Sequence, residues 1–180
     1  MRHQRRFQMI SAVCGLALLG AVGCNDSVEV PEGFVEAQAG PARFAHPEDW
    51  SEVSEDERIA DAAAHIETPA GDAGTPTGIL VFTSPDEGRS LGGRVQNAKG
   101  SLLTTFPDFE VTDEGEVEVP GAEGAVLLEF TYTTDAGETA ISFDVITGTD
   151  DDEVVFRVAG PEESLDESLA RQIIDTLTLT

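Results

Sequence analysis

The residues able to do chemistry in this 180-residue chain are few in kind: two cysteines, three histidines, and 35 carboxylates against 10 Lys and Arg. A nucleophile relay needs a histidine that exchanges a proton near neutral pH. His46 precedes Pro47 and His65 sits on a candidate strand, and both read as strand-end or surface residues rather than catalysts. No Gly-x-Ser-x-Gly elbow and no His-Glu-x-x-His helix occurs. The glycine-rich residues 71–77 lack the lysine and spacing of a phosphate-binding loop, and no cofactor is expected. Paired carboxylates could serve a hydrolase, but acids are so abundant that no one pair stands out. Asp150, Asp151 and Asp152, followed by Glu153, could collect oxygen ligands for Ca²⁺. They lack the alternate spacing and central glycine of an EF-hand loop, so they read first as a solvated hairpin turn and only second as a metal site. The expected set of catalytic residues is empty.

Cys24 is the chemically distinctive residue. It closes an apolar run from Met9 that follows the basic start Arg2, Arg5 and Arg6. A positive start, an apolar middle and small residues before a cut site make a secretory signal. The run is shorter than the roughly 20 residues a spanning helix needs. Its end, Ala21-Val22-Gly23-Cys24, resembles the lipobox of bacterial lipoproteins, with Ala21 where that family usually has Leu. The resemblance implies cleavage after Gly23 and a diacylglyceryl thioether on Cys24. The alternative is an ordinary signal with an incidental cysteine. Against it, the chain after Cys24 holds no second cysteine, so Cys24 has no disulfide partner. Cys14 lies inside the apolar run and is discarded with it. Residues 25–32 are polar and contain Pro31, as a short tether should.

Three segments follow from this: a signal over 1–23, a lipidated cysteine and tether over 24–32, and one globular domain over 33–180. Loss of the three signal arginines takes the formal charge from −25 to −28. Such a surface repels nucleic acid and anionic lipid. The acids are spread along the chain and read as a solvated shell, the other reading being a docking face for a basic partner.

The elements that would position any site are mostly strands. Residues 34–39 and 42–46 flank Gly40-Pro41 as a hairpin. Pro47 ends the second strand and Trp50 plugs one end of the core. Residues 60–68 are ambiguous: the alanines tolerate helix, while Ala64 and Ile66 fit a strand face, and strand is the preferred reading for 64–68. Gly78-Ile79-Leu80-Val81-Phe82-Thr83 is apolar on both faces, the pattern of a strand covered on both sides. Ser84-Pro85-Asp86-Glu87 has the form of a helix capping box. Leu91, Val95, Ala98, Leu102 and Phe106 then make a helical stripe ended by Pro107. The glycines at 88, 92 and 93 allow the helix to start only near Ser90.

An acid-rich edge strand over 109–119 and three more strands form a meander. Val126, Leu128, Phe130 and Tyr132 share one face of the second strand. Ile141, Phe143 and Val145 face inward on the third, and Val154, Phe156 and Val158 on the fourth. A closing helix is expected from Gly160-Pro161, with the stripe Leu165, Leu169, Ile173 and Leu177.

The corner Phe44-Ala45-His46-Pro47-Glu48-Asp49-Trp50, the loop Val119-Pro120-Gly121-Ala122-Glu123-Gly124-Ala125 and the ending Ile173-Ile174-Asp175-Thr176-Leu177 are similar to those of the PsbP-like fold. That fold is shared by extrinsic photosystem II proteins, a Ran-binding nuclear import factor and lipoproteins of actinobacterial envelopes. The resemblance implies an α+β domain: an α/β/α sandwich around a central, mainly antiparallel sheet of about six strands, with one helix mid-chain and one at the C-terminus. It implies members that mostly bind or scaffold proteins, and it brings over no catalytic residue.

The expected function is a non-catalytic binding or scaffold lipoprotein on the outer face of the cell membrane. It would be anchored by lipid at Cys24 and engage an envelope protein through the sheet face or the Trp50 corner. The alternatives are a carboxylate-dependent envelope hydrolase, and a carrier holding a small ligand or lipid between the meander and the helix over 91–106. Oligomeric state is not legible.

Overall fold

The computed structural model describes residues 30–69 and 75–180. The signal segment, Cys24 and most of the tether therefore lie outside the described residues. Among those described, no helix is long and apolar enough to cross a membrane.

The N-terminal hairpin forms β1 (Phe34–Ala39) and β2 (Ala42–Pro47). A two-residue β3 (Ser51–Glu52) and β4 (Ala62–Glu67) lead into β5 (Gly78–Pro85). Helix α1 (Leu91–Thr105) follows, then β6 (Glu110–Val117), β7 (Ala125–Thr133), β8 (Thr139–Gly148) and β9 (Asp152–Pro161). Helix α2 (Glu167–Ile174) and a two-residue β10 (Thr178–Leu179) end the chain. The main sheet has seven strands in the order β3-β4-β5-β9-β8-β7-β6, all pairs antiparallel. A second sheet, β1-β2-β10, has three. The architecture is thus α+β, with seven main strands where about six were expected.

Each face of the main sheet has its own core. On one face α2 and the small sheet cover Ile79, Val81, Phe143, Val145, Val154, Phe156 and Val158, all inaccessible to solvent. Phe44 of β2 meets Phe156 edge-on at 5.0 Å. Trp50 is buried in this core and is not a surface anchor. On the other face α1 lays Val95 and Leu102 on Leu128, Phe130 and Ile146, with Phe106, Phe109 and Tyr132 beside them. The two alternating sets of the meander therefore face two covers, as β5's doubly apolar pattern requires.

Several boundaries differ from the sequence reading. The capping box at Ser84 is unused, because β5 stays paired with β9 as far as Pro85 opposite Asp152. Ser90 is the cap instead, its Oγ accepting from Gly93 N–H at 3.3 Å. Gly160 and Pro161 continue β9 opposite Ile141 and Ala140. Helix α2 starts only after Asp166, whose carboxylate accepts from the N–H groups of Ser168 and Leu169. Leu177 lies past its end, where the chain turns into β10. Neither histidine is at the surface. His46 is buried with Nδ1 2.9 Å from the Pro47 carbonyl, and His65 is buried with Nε2 2.7 Å from a Glu67 oxygen.

Candidate functional site

The site begins with a side-chain phase on β8 and β9. Phe143, Val145, Phe156 and Val158 point to the α2 side, so period-two geometry sends Ser142, Asp144, Ile146 and Arg157 to the α1 side. Solvent would suit the polar members of that set, but α1 covers them. Asp144 and Ser142 are fully buried and Arg157 is 9% exposed.

A buried charge must be paired and hydrogen-bonded. Asp144 and Arg157 are directly opposite in the β8–β9 register. Arg157 Nε donates to Asp144 Oδ1 at 2.8 Å and Nη2 to Oδ2 at 2.6 Å. Ser142 Oγ also donates to Oδ1, at 2.9 Å. Burial alone would pull the Arg157 pKa down, but the Asp144 charge and hydrogen bonds, with Tyr132, outweigh it and leave the guanidinium above its ordinary value. The cation also lies among three rings, its Cζ 5.8 Å from the centroid of Phe82, 5.4 Å from Phe106 and 5.6 Å from Phe130.

Helix α1 packs on β7 and β8 and leaves the β5–β9 side of this face less filled. A cleft of about 760 Å³ occupies that space. Its floor is Leu80, Phe82, Val155 and Arg157, its helix wall is Ala98, Leu102 and Phe106, and its rim includes Ile59 and Asp61 from the loop before β4. Asp61 holds a left-handed φ of 66° at that rim. Tyr132 lines the cleft and stacks on Phe106 with centroids 4.2 Å apart. Burial raises the Tyr132 pKa, with Arg157 lowering and Asp144 raising it, so the hydroxyl keeps its proton.

At the far end Arg94 donates to Asp86 at 2.9 Å and lies near Glu153, which also takes two bonds from Arg89. Gly148 makes room for Arg94, since a Cβ there would stand 2.2 Å from its guanidinium.

The arrangement suits binding better than acid–base work. Asp144 spends both oxygens on Arg157 and Ser142, and Glu153 is held by Arg89 and Arg94. A general base must be able to reach the proton it takes, and neither Asp144 nor Glu153 is free to do so; Asp61, the third carboxylate, stands at the rim.

The residues singled out from the sequence do not meet here. Asp150 and Asp151 lie exposed in the β8–β9 turn, and Asp152 opens β9 opposite Pro85. Among the described residues no three His, Cys, Asp or Glu side chains gather as a metal group. Cys24 lies outside the described residues, and Trp50 lies in the core on the opposite side of the sheet. Arg157, Asp144 and Tyr132 were not singled out. One signal was available: Arg157 is the only basic residue between Lys99 and Arg171.

No protein-family model matches the chain, and no curated protein is detectably similar in sequence. Solved structures do share its backbone path. Cyanobacterial PsbP (CyanoP) of Synechocystis superposes with a TM-score of 0.60 at 12% identity, over 89% of this chain and all of the other. The chain has the PsbP-like fold. LpqN, involved in cell envelope biogenesis of Mycobacterium tuberculosis, gives 0.57 at 18% identity over 82% of this chain and 90% of LpqN. A Pseudomonas aeruginosa protein of unknown function gives 0.56 at 15% identity over 82% and 97%. At these identities the likeness is one of fold.

Proposed function

We propose that this PsbP-like protein is a lipoprotein of the cell envelope, anchored outside the cytoplasmic membrane through Cys24, that binds a small molecule in the cleft beneath α1 without transforming it. The observation that carries the reading is the cleft itself. Ligand sites are concave, mostly apolar, about 300–1,000 Å³ in volume, and hold a few placed polar groups. This one has aromatic and aliphatic walls around a nine-tenths buried arginine. Asp144 and Glu153 are committed to structural partners, which favours holding over catalysis. The lipobox-like run supports the anchor.

The test is thermal unfolding of the full-length lipoprotein in nanodiscs with fractions of an organic extract of its own envelope. A ligand that binds only the folded state raises the melting temperature. At least one fraction is expected to do so, and Ala98→Trp, which fills the cleft from the helix wall, is expected to abolish the shift. No shift from any fraction would overturn the reading.

A second reading is a protein partner, favoured by β6. This outermost strand of seven has an unpaired side, and Glu110 to Glu116 are all exposed. A basic segment adding a strand there would satisfy both the free backbone groups and the acids. Cross-linking from intact envelopes that recovers a protein through β6 residues would favour it.

A further inference from the structure

This inference rests on the cleft being a ligand site and names the ligand's chemistry. Arg157 uses Nε and Nη2 on Asp144, while Nη1, with two N–H groups, has no hydrogen-bond partner among the described residues. The Tyr132 hydroxyl likewise makes no hydrogen bond among them and stays protonated. Asp144 already takes bonds on both oxygens, from Arg157 and Ser142. The cleft therefore offers donors and lacks a free acceptor at its floor, so the ligand must bring the acceptor.

Charge decides which acceptor. Arg157 and Asp144 cancel, Arg94 is offset by Asp86 and Glu153, and the whole chain carries −25. An anion gains no net attraction from such surroundings and loses its hydration. A cation would meet the arginine. A hydrocarbon would leave Nη1 dry. A carbonyl oxygen avoids all three costs. Phe82, Phe106 and Tyr132 line the cleft, and aromatic linings suit an aromatic partner.

We propose that the cleft takes an uncharged, flat aromatic molecule bearing a carbonyl oxygen, which accepts from Arg157 Nη1 while the rings contact the body of the ligand.

Three molecules of nearly equal shape separate the possibilities: 2-acetonaphthone with a neutral carbonyl, 2-naphthoate with a charge, and 2-ethylnaphthalene with no acceptor. Each is titrated calorimetrically into the full-length lipoprotein in nanodiscs, with empty nanodiscs subtracted. The ketone is expected to bind roughly tenfold tighter than the hydrocarbon, the effect of one satisfied donor, and tighter than the carboxylate. In Arg157→Met with Asp144→Leu, checked for fold by circular dichroism, ketone and hydrocarbon are expected to bind alike.

Equal binding of ketone and hydrocarbon to the unaltered protein overturns the inference and leaves the cleft as a ligand site. Preference for naphthoate overturns it in favour of an anionic ligand. If none of the three binds while an envelope fraction still raises the melting temperature, only the ligand class falls. If neither occurs, the proposed function falls with it.

Discussion

Asp144 and Arg157 stand opposite one another on adjacent strands and close a two-point ion pair at 2.8 and 2.6 Å inside the sheet's α1 face. Removing one partner of a buried pair strands the other, at about 3–5 kcal/mol, whereas replacing both with apolar groups is often neutral. Arg157→Met is therefore expected to lower unfolding free energy by about 3–5 kcal/mol. Arg157→Met with Asp144→Leu should recover most of that loss. Urea unfolding of both singles and the double closes the cycle. Additive losses would mean that the pair is not coupled.

Tyr132 is the only tyrosine in the chain, so phenolate absorbance reads it alone. Burial raises its folded-state pKa. An unfolded tyrosine ionises near pH 10. Above that pH the folded state holds a proton that the unfolded state has released, so this contribution to stability, intact below pH 10, falls as pH rises. The slope is about 1.4 kcal/mol per pH unit until the folded pKa is passed. Spectrophotometric titration should place the folded midpoint above 10. Tyr132→Phe should remove this part of the alkaline loss.

Gly100 lies on the exposed face of α1, and a Cβ there would meet nothing within 4 Å. Gly100→Ala should stabilise by about 0.5–1 kcal/mol through helix propensity and reduced unfolded-state entropy. Gly121 is the contrast. It has a φ of +85° and a Cβ would stand 1.9 Å from the Leu179 carbonyl oxygen. The neighbouring Pro120 carbonyl accepts from Leu179 N–H at 2.8 Å. Gly121→Ala should cost about 2–4 kcal/mol, a loss typical of backbone strain joined to a broken contact. Paired melting curves check both.

The anchor prediction is chemical. Mass spectrometry of the protein from the membrane fraction should find residue 24 as the N-terminus carrying a diacylglyceryl group. Cys24→Ser should abolish the modification and release the chain from that fraction. Stable attachment needs two acyl chains or a second signal.

The strands, the α1 stripe and the grouping of residues on each meander strand were legible because they rest on local periodicity. That Leu128 and Phe130 face α1 while Phe143 and Phe156 face α2 was not legible, because it follows from the β7–β8 register, which sets Leu128 opposite Asp144 and Phe130 opposite Ser142. Where local signals competed with pairing, pairing won. The capping pattern at Ser84 yielded to β5 pairing along β9, and the helix signal at Gly160-Pro161 yielded to β8. Strand β10 is two residues long, too short for any periodicity.

The place of the cleft, between the meander and α1, was among the alternatives, but its polar residues were hidden for a related reason. Ser142, Asp144 and Arg157 have the phase and polarity of a solvent-facing set, and only the placement of a helix about 50 residues earlier buries them. The isolation of Arg157 among so many acids was the trace it left in the sequence.

The central claim is that ligand sits between α1 and the β5–β9 side of the sheet. Methyl NMR of the Ile, Leu and Val-labelled lipoprotein, titrated with 2-acetonaphthone, tests it most directly. Resonances of Leu80, Leu102 and Ile146 are predicted to move, while Ile173 and Leu177 in the opposite core stay still. Movement confined to the opposite core would contradict the account, whereas no movement at saturating ketone would contradict the ligand class.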